Sequence, residues 1–397
     1  MVIRKAFKFK LKTDDATEEK FSQMSGCCRL VWNKALAANL ERLKNKQSMY
    51  WYNESAFWLT FWKKTNELDF LKSCDSQALQ QTLKNLDKAF KDAFDKKQPL
   101  KRIPKFKKRG VGDSFKYPQR FKFNNGRVYL PKVGWVRYFD SKTIEGKPKN
   151  LTVTREADGW YFSVQVEMEV QQPIHQSETA IGVDMGITRF ATYSDGTYLE
   201  PLNSFKRTRN KLAKAQRKLS KKKRFSENWK KQKKEMTKLH HKIANCRKDY
   251  LHKASTTLSK KHALVVMEDL KVRNMSGSAK GDIETPGKNV KAKSGLNRSI
   301  LDQGWFEFRR QIEYKQLWLG GALVLVDPKY TSQECPECQH TGKENRQTQS
   351  EFECVDCRYS ENADVVGAIN TLARGHRVLA CGESTLVNSV KQEPKAA

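Results

Sequence analysis

Two pairs of cysteines constrain the fold of this chain more than any other feature. Cys335 and Cys338 form one C-x2-C pair, and Cys354 and Cys357 form a second pair after 15 intervening residues. Each pair can present two thiolates to one ion, and four sulfur ligands around a tetrahedral site are typical of structural zinc. A thioredoxin-like redox site would instead use a single C-x2-C motif at the start of a helix. The spacing therefore predicts a closed, structural Zn²⁺ site.

Three acidic residues lie at the ends of predicted core elements. Asp184 follows an apolar strand within the turn 182–186, Glu268 ends a second apolar run, and Asp364 opens a predicted helix after the cysteines. Glycines at both ends of the first turn would let the backbone pass close to a ligand. A lone acid of this kind is more often a turn former or a surface residue. Three that converge would supply the hard oxygen ligands that Mg²⁺ or Mn²⁺ prefers, as in sites that hydrolyse phosphodiesters.

The charge balance indicates a polyanionic partner. The chain has 76 Lys and Arg against 44 acids, which gives a formal net charge of +32. Residues 206–261 carry 22 Lys or Arg in a predicted pair of long helices, and a nucleic-acid face explains this excess better than a solvated charged helix. No apolar stretch approaches the roughly 20 residues that span a bilayer, and there is no signal-peptide core. We therefore predict a cytoplasmic protein without a membrane partner.

Hydrophobic periodicity predicts an α+β chain of several domains. Residues 1–15 and 111–175 alternate with a period of two, and turns at Asn125–Gly126 and Asp158–Gly159 predict hairpins, so these segments should form one β-barrel or sandwich. Residues 16–97 have helical spacing and are inserted into it. Residues 271–299 are predicted to be a mobile loop, Asp302 to cap the helix that follows, and residues 382–397 to be a disordered tail.

These motifs together resemble the TnpB family of RNA-guided nucleases encoded by bacterial and archaeal insertion sequences, which are related to compact type V CRISPR effectors. The resemblance extends over nearly the whole chain. Glycine often follows the second cysteine of each pair in the family, whereas this chain has Gln339 and Arg358 there. The matching segments are Cys28–Asn33 (CRLVWN), Ala78–Leu86 (ALQQTLKNL), Pro104–Arg109 (PKFKKR), Gly182–Gly186 (GVDMG), Met267–Leu270 (MEDL), Tyr330–Cys338 (YTSQECPEC) and Ala363–Asn370 (ADVVGAIN).

The resemblance implies an α+β multidomain fold. A β-barrel wedge domain (1–15 and 111–175) would be interrupted by a helical recognition domain (16–110). An RNase H-like (RuvC) α/β domain (176–334 and 358–381) would follow and carry an inserted zinc ribbon (335–357). The catalytic, Mg²⁺-binding acids of the family would be Asp184, Glu268 and Asp364.

The resemblance also implies nucleic-acid partners. These are an omega-type guide RNA derived from the transposon end and a double-stranded DNA target next to a short flanking motif, bound by a monomer. Ser76, Gln77 and Gln80 would lie near that motif, where an amide such as that of Gln80 can pair with adenine, although an exposed polar residue on a helix would look the same. Lys105, Lys107, Lys108 and Arg109 alternate with Phe106 in a way suited to phosphate contact and stacking, although a solvated loop would look the same. A compact CRISPR effector, a non-catalytic zinc-ribbon binder and a DNA-joining transposase remain the alternatives.

Overall fold

The chain folds into two compact units that divide after Gln171. The computed structural model describes residues 1–282 and 284–381, without the side chains of residues 204–207. The predicted tail, residues 382–397, lies outside these described residues. Both units combine helices with a β-sheet, so the predicted α+β multidomain class is confirmed. None of the described helices has the combination of length and apolarity needed to cross a lipid bilayer.

The first unit is built on a seven-stranded antiparallel sheet in the order β2-β6-β7-β1-β5-β4-β3. The hairpin predicted at Asn125–Gly126 is confirmed, and both turn residues have the positive φ that a two-residue primed turn requires. The second hairpin turns at Ala157 and Asp158, one residue earlier than predicted, because Gly159 already pairs with Glu156. The strands are β1 (Val2–Lys12), β2 (Ser114–Tyr117), β3 (Lys122–Asn124), β4 (Arg127–Leu130), β5 (Gly134–Tyr138), β6 (Lys147–Glu156) and β7 (Gly159–Glu169).

Three α-helices come from the chain between β1 and β2, as the periodicity predicts: α1 (Asp15–Lys44), α2 (Tyr52–Trp62) and α3 (Ser76–Phe94). Asp14 caps α1 by accepting from the backbone N–H of Thr17, and Asp75 caps α3. Apolar side chains along α1 and α3 are buried in the same core as the inner face of the sheet. Burial of this apolar face stabilises helices whose exposed positions are largely polar.

The second unit contains a five-stranded sheet in the order β10-β9-β8-β11-β12, in which β8, β11 and β12 are parallel. Its strands are β8 (Ala180–Asp184), β9 (Ala191–Tyr193), β10 (Tyr198–Leu199), β11 (Leu264–Glu268) and β12 (Ala322–Val326). Two further strands, β13 (Glu351–Glu353) and β14 (Ser360–Asn362), form a separate hairpin within and after the cysteine segment. The helices are α4 (Ser204–Ser220), α5 (Glu227–Lys261), α6 (Val272–Met275), α7 (Val290–Gln303), α8 (Trp305–Leu319) and α9 (Ala363–Ala380).

Two predictions in this unit are wrong. The predicted loop 271–299 includes α6 and the first ten residues of α7, because Ile300 and Gln303 near the end of α7 are buried and anchor a helix that is otherwise largely exposed. Asp302 does not cap α8. It lies in the last turn of α7 and pairs with Arg247, and Gly304, at φ 76°, separates the two helices.

Candidate active site and zinc centre

Two of the predicted acids emerge side by side from the sheet of the second unit. β8 and β11 are adjacent parallel strands in which Val183 lies opposite Met267. The residues that follow, Asp184 and Glu268, therefore leave the sheet at the same carboxyl edge. Both strands are apolar and buried, so the register that places the acids together is strongly specified.

The third acid, Asp364, lies in the first turn of α9, which packs very closely against the sheet. A Cβ added to Gly182 would lie 2.1 Å from the carbonyl oxygen of Ala368, and a Cβ on Gly375 of α9 would lie 2.4 Å from a methyl group of Val266. Glycine at these two positions therefore makes room for the helix. Gly182 serves helix packing, whereas the sequence suggested that it lets the backbone approach a ligand.

Asp184 lies at the centre of a cluster of like charges. Gly367 of α9 faces it, because a Cβ there would lie 3.5 Å from Asp184 Cγ. Burial, and then the charges of Glu268 and Asp364, raise the pKa of Asp184 to about 7, while Arg346 opposes the rise. The charges of Glu268 and Asp364 therefore act on Asp184, although no group of described residues that includes these acids brings its oxygen atoms all within 4.8 Å of one another. A divalent cation would relieve this repulsion.

Glu268 is held by a loop that follows β12. The hydroxyl of Thr331 donates to Glu268 Oε1 at 2.6 Å, and both side chains are buried. Burial raises the pKa of Glu268, whereas the hydrogen bond from Thr331 and the charge of Arg374 lower it. The amide of Asn370 on α9 fixes the loop by donating to the carbonyl oxygens of Thr331 and Glu334, at 2.8 and 2.7 Å. Helix α9 therefore orients two of the three acids.

The four predicted zinc ligands converge on one point. The Sγ atoms of Cys335 and Cys357 lie 3.6 Å apart, those of Cys338 and Cys354 lie 3.5 Å apart, and all four lie within 4.8 Å of one another. A tetrahedron with Zn–S bonds of about 2.3 Å has edges of about 3.8 Å, so this donor set fits zinc. Burial raises the pKa of Cys354, but hydrogen bonds from the backbone N–H groups of Cys357 and Asp356 outweigh this effect, so the net pKa is lowered to about 7.

The residues that replace the family's glycines keep the turn geometry of the cysteine pairs. Gln339 and Arg358 have φ values of 62° and 63°, the left-handed conformation that glycine favours. Each closes the same turn, since Gln339 N–H donates to the carbonyl of Cys335 and Arg358 N–H donates to that of Cys354, both at 3.0 Å. A side chain in this conformation costs roughly 1–2 kcal/mol, and binding of the metal would offset that strain.

Arg346 lies beside one of the candidate acids, although the sequence did not single it out. It comes from the cysteine segment, its Nη2 lies 4.0 Å from Asp364 Oδ1, and it donates to the carbonyl of Gln349. The backbone of Arg346 also forms an isolated antiparallel β-bridge with that of Phe352, which is buried beside the zinc ligands. In the sequence, Arg346 is only one arginine between the two cysteine pairs, and its position relative to Asp364 depends on how that segment folds.

Candidate DNA-contacting residues lie at the start of α3 in the first unit. Ser76 and Gln80 are exposed, and the hydroxyl of Ser76 accepts from Lys63 Nζ at 2.8 Å. Gln77 is half-buried, with a buried side-chain oxygen that lacks a hydrogen-bond partner among the described residues. The beginning of α3 thus offers one exposed side-chain amide, that of Gln80, in its second turn.

The basic segment 105–109 of the first unit is fastened to α1. The indole of Trp32 donates to the carbonyl of Lys105, and the Asn33 amide makes two hydrogen bonds with the backbone of Lys107, at 2.8 and 3.0 Å. Lys107 Nζ lies 4.1 Å above the Trp32 ring, so it is already engaged within the protein. The other members of the segment, which are Lys105, Phe106, Lys108 and Arg109, are exposed.

Comparison with protein families gives three matches along the chain. The OrfB_IS605 model, described as "Probable transposase", matches residues 163–279. A Cas12f1-like TNB-domain model matches residues 305–371, which include the four cysteines, and a helix-turn-helix model associated with OrfB_IS605 matches residues 1–48. The matches fall in both units.

Individual relatives cover almost the whole chain. The chain is 51% identical over 394 residues to the Escherichia coli K12 protein named "Putative RNA-guided DNA endonuclease InsQ", which is 98% of this chain and 97% of that protein. It is 34% identical over 409 residues to a Streptomyces pristinaespiralis protein named "Putative RNA-guided DNA endonuclease", covering 100% and 97%. The solved Cas12f1–sgRNA–target DNA complex contains a chain of similar fold, with a TM-score of 0.56, 13% identity and coverage of 93% and 98%. The protein therefore belongs to the TnpB family, which includes the OrfB proteins of IS605 elements.

Proposed function

We propose that the chain is an RNA-guided DNA endonuclease whose hydrolytic centre consists of Asp184, Glu268 and Asp364. The observation that supports this proposal is that Asp184 and Glu268 follow adjacent parallel strands at the same edge, while burial and the charges of Glu268 and Asp364 raise the pKa of Asp184 to about 7. A buried acid whose pKa is raised this far is typical of a functional site. The names of the relatives that span nearly the whole chain support the same activity.

The donor set fits Mg²⁺ or Mn²⁺, because carboxylate oxygens are the ligands that hard cations prefer. A bound pair of such ions would supply Lewis-acid activation for phosphodiester hydrolysis. Thr331 fixes the carboxylate of Glu268, and Asn370 fixes the loop that carries Thr331. Arg346, at 4.0 Å from Asp364, places a guanidinium where the negative charge of a phosphate would arrive.

The finer architecture is part of the proposal. We assign the five-stranded sheet to an RNase H-like (RuvC) domain, with residues 335–357 as an inserted zinc ribbon, and the seven-stranded sheet to the barrel of a wedge domain with residues 16–110 as its helical recognition insert. The position of Asp184 and Glu268 at the carboxyl ends of two parallel strands supports the RuvC-like assignment, and the four converging sulfurs support the zinc ribbon. The similar fold of a chain in the Cas12f1 complex is consistent with each of these domain assignments.

The proposed partners are an omega-type guide RNA from the transposon end and a double-stranded DNA target, bound by a monomer in the bacterial or archaeal cytoplasm. A net charge of +32 supports a polyanionic partner. Base pairing to the guide would supply sequence specificity, so the protein itself would read only a short flanking motif. Gln80 and the exposed part of segment 105–109 are the candidate contacts in the first unit. The intact acid cluster disfavours a non-catalytic zinc-ribbon binder.

Cleavage by the RNA-loaded chain tests the proposal. The chain is purified with its RNA, the RNA is sequenced, and a plasmid library with matching targets and randomised flanks is incubated with Mg²⁺. The wild-type chain should linearise a subset of plasmids, and Asp184→Asn should abolish cutting. Asp249→Asn, which alters an exposed acid on α5, should cut normally. Equal cutting by the Asp184 variant, or no cutting of any matching target by the wild type, would contradict the proposal.

A further inference from the structure

An exposed aromatic side chain stands at the tip of the α4–α5 hairpin in a strained backbone conformation. α4 ends at Ser220, α5 begins at Glu227, and Phe225 in the connecting turn has a φ of 69° with its ring 65% exposed. A bulky side chain at positive φ is uncommon, because it is disfavoured sterically. The exposure is also unfavourable in water, so neither folding nor solubility explains this residue.

Hydrogen bonds and ring contacts within the turn hold Phe225 in this conformation. Ser226 caps α5 by accepting from the backbone N–H of Trp229, and its own N–H donates to the carbonyl of Lys223 at 3.1 Å. The ring of Phe225 packs at 5.5 Å from that of Trp229, and the Arg224 guanidinium lies 5.0 Å from the Phe225 centroid. The tip of the hairpin therefore presents two neighbouring rings and a planar cation.

The charge around the tip selects the partner. Eight of the 14 residues from Lys221 to Lys234 are Lys or Arg, and one, Glu227, is acidic. A hydrophobic protein surface would not require so many cations, whereas a nucleic acid offers phosphates for them and a flat base for the ring. Aromatic rings beside cationic side chains form the usual stacking surface for unpaired bases. Strain concentrated at an exposed residue is typical of binding sites.

We propose that Phe225 stacks on an unpaired nucleobase of a bound nucleic acid while the surrounding lysines contact its phosphates. The inference rests on the proposed function only for the class of partner, and it adds a base-contacting residue that lies between Asp184 and Glu268 in the sequence. An unpaired base occurs at a strand end, a bulge or a junction, because a base within a continuous duplex has both faces covered. The tip would therefore recognise a discontinuity and not a sequence.

The test compares strands that differ only in their bases. The full-length, RNA-free chain is titrated without Mg²⁺ against fluorescent 20-nucleotide RNA and DNA single strands and against abasic strands with the same number of phosphates. Phe225→Ala should weaken binding of the base-containing strand about 5- to 100-fold while leaving abasic binding unchanged. Phe225→Trp should keep the wild-type preference. The RNA and DNA arms show which strand the tip prefers.

Two controls separate binding from folding. Phe225→Gly removes the ring and the backbone strain together, so it should lose the preference for bases with an unchanged or higher Tm. Phe306→Ala, which removes an equally exposed ring on α8, should keep the preference. Retention of the base preference in Phe225→Ala would overturn this inference alone. A wild-type chain that bound none of the strands would overturn it together with the proposed function. A change of oligomeric state in Phe225→Ala with unchanged base preference would assign the tip to protein contact.

Discussion

Replacing Gly182 by alanine should damage cleavage far more than its size suggests. The added Cβ would lie 2.1 Å from the carbonyl oxygen of Ala368 and 2.8 Å from the Cβ of Leu372, whereas ordinary contact begins near 3.4 Å. Helix α9 would have to retreat by about 1.3 Å, the difference between these distances. Overpacking of this kind costs about 1–3 kcal/mol. Because α9 carries Asp364, a displacement of about 1 Å should also slow cleavage about 100-fold.

Single-turnover cleavage of a guide-matched DNA measures the cleavage rate of Gly182→Ala. Denaturant unfolding measures its stability, and zinc content shows whether the cysteine site is intact. Gly295→Ala is the matched control, since Gly295 lies in α7 with nothing within 4 Å of an added Cβ. That change should leave cleavage unaltered and stabilise the helix by about 0.5–1 kcal/mol. If Gly182→Ala cleaved within about twofold of wild type while retaining zinc, the close packing of α9 would not be what positions the acid.

Three further predictions concern the site. The pKa of Asp184 is about 7 in the folded chain and 3.8 ordinarily, so the folded state holds this proton more tightly and stability falls as pH rises from about 4 to about 7. In denaturant unfolding without Mg²⁺, the free energy of unfolding of Asp184→Asn should decrease with pH by up to about 4 kcal/mol less than that of the wild type. The same pH dependence in both proteins would contradict the raised pKa of Asp184. Cys354→Ser should lower bound zinc from about one ion per chain to none. The control Cys246→Ser, which changes an exposed thiol, should keep the bound zinc. Zinc retention by Cys354→Ser would exclude the four-sulfur site. Arg346→Gln should slow cleavage about 10- to 1000-fold with unchanged zinc content, and Arg346→Lys should restore part of the rate; equal rates in all three would remove Arg346 from the site.

The ends of the core strands could be predicted from the sequence because their pattern is local. Apolar runs before Asp184 and Glu268 indicate buried strands, and a buried strand fixes which residue leaves the sheet first. The zinc ligands could likewise be predicted, because each C-x2-C turn brings two sulfurs together locally and two such turns supply the four ligands of a tetrahedral site. The Asn125–Gly126 hairpin follows from a turn that requires positive φ at both positions.

What could not be predicted depends on contacts between distant segments. The role of Gly182 appears only when α9, about 180 residues later, packs on it. Arg346 lies near Asp364 because the cysteine segment folds back toward the start of α9, and hydrophobic periodicity does not indicate where that segment folds. Helix α7 is not evident from the sequence, because Gly, Ser and Lys are frequent in the stretch 271–299 and the buried anchors of the helix, Ile300 and Gln303, lie beyond it.

The position of bound divalent cations decides whether the three carboxylates act as one centre. Crystals of the RNA-loaded chain soaked in Mn²⁺ should give anomalous density within about 2–2.5 Å of carboxylate oxygens of Asp184, with Glu268 and Asp364 completing the ligand set. The density should vanish in Asp184→Asn. Manganese bound elsewhere, with no density beside any of the three acids, would contradict the proposed hydrolytic centre.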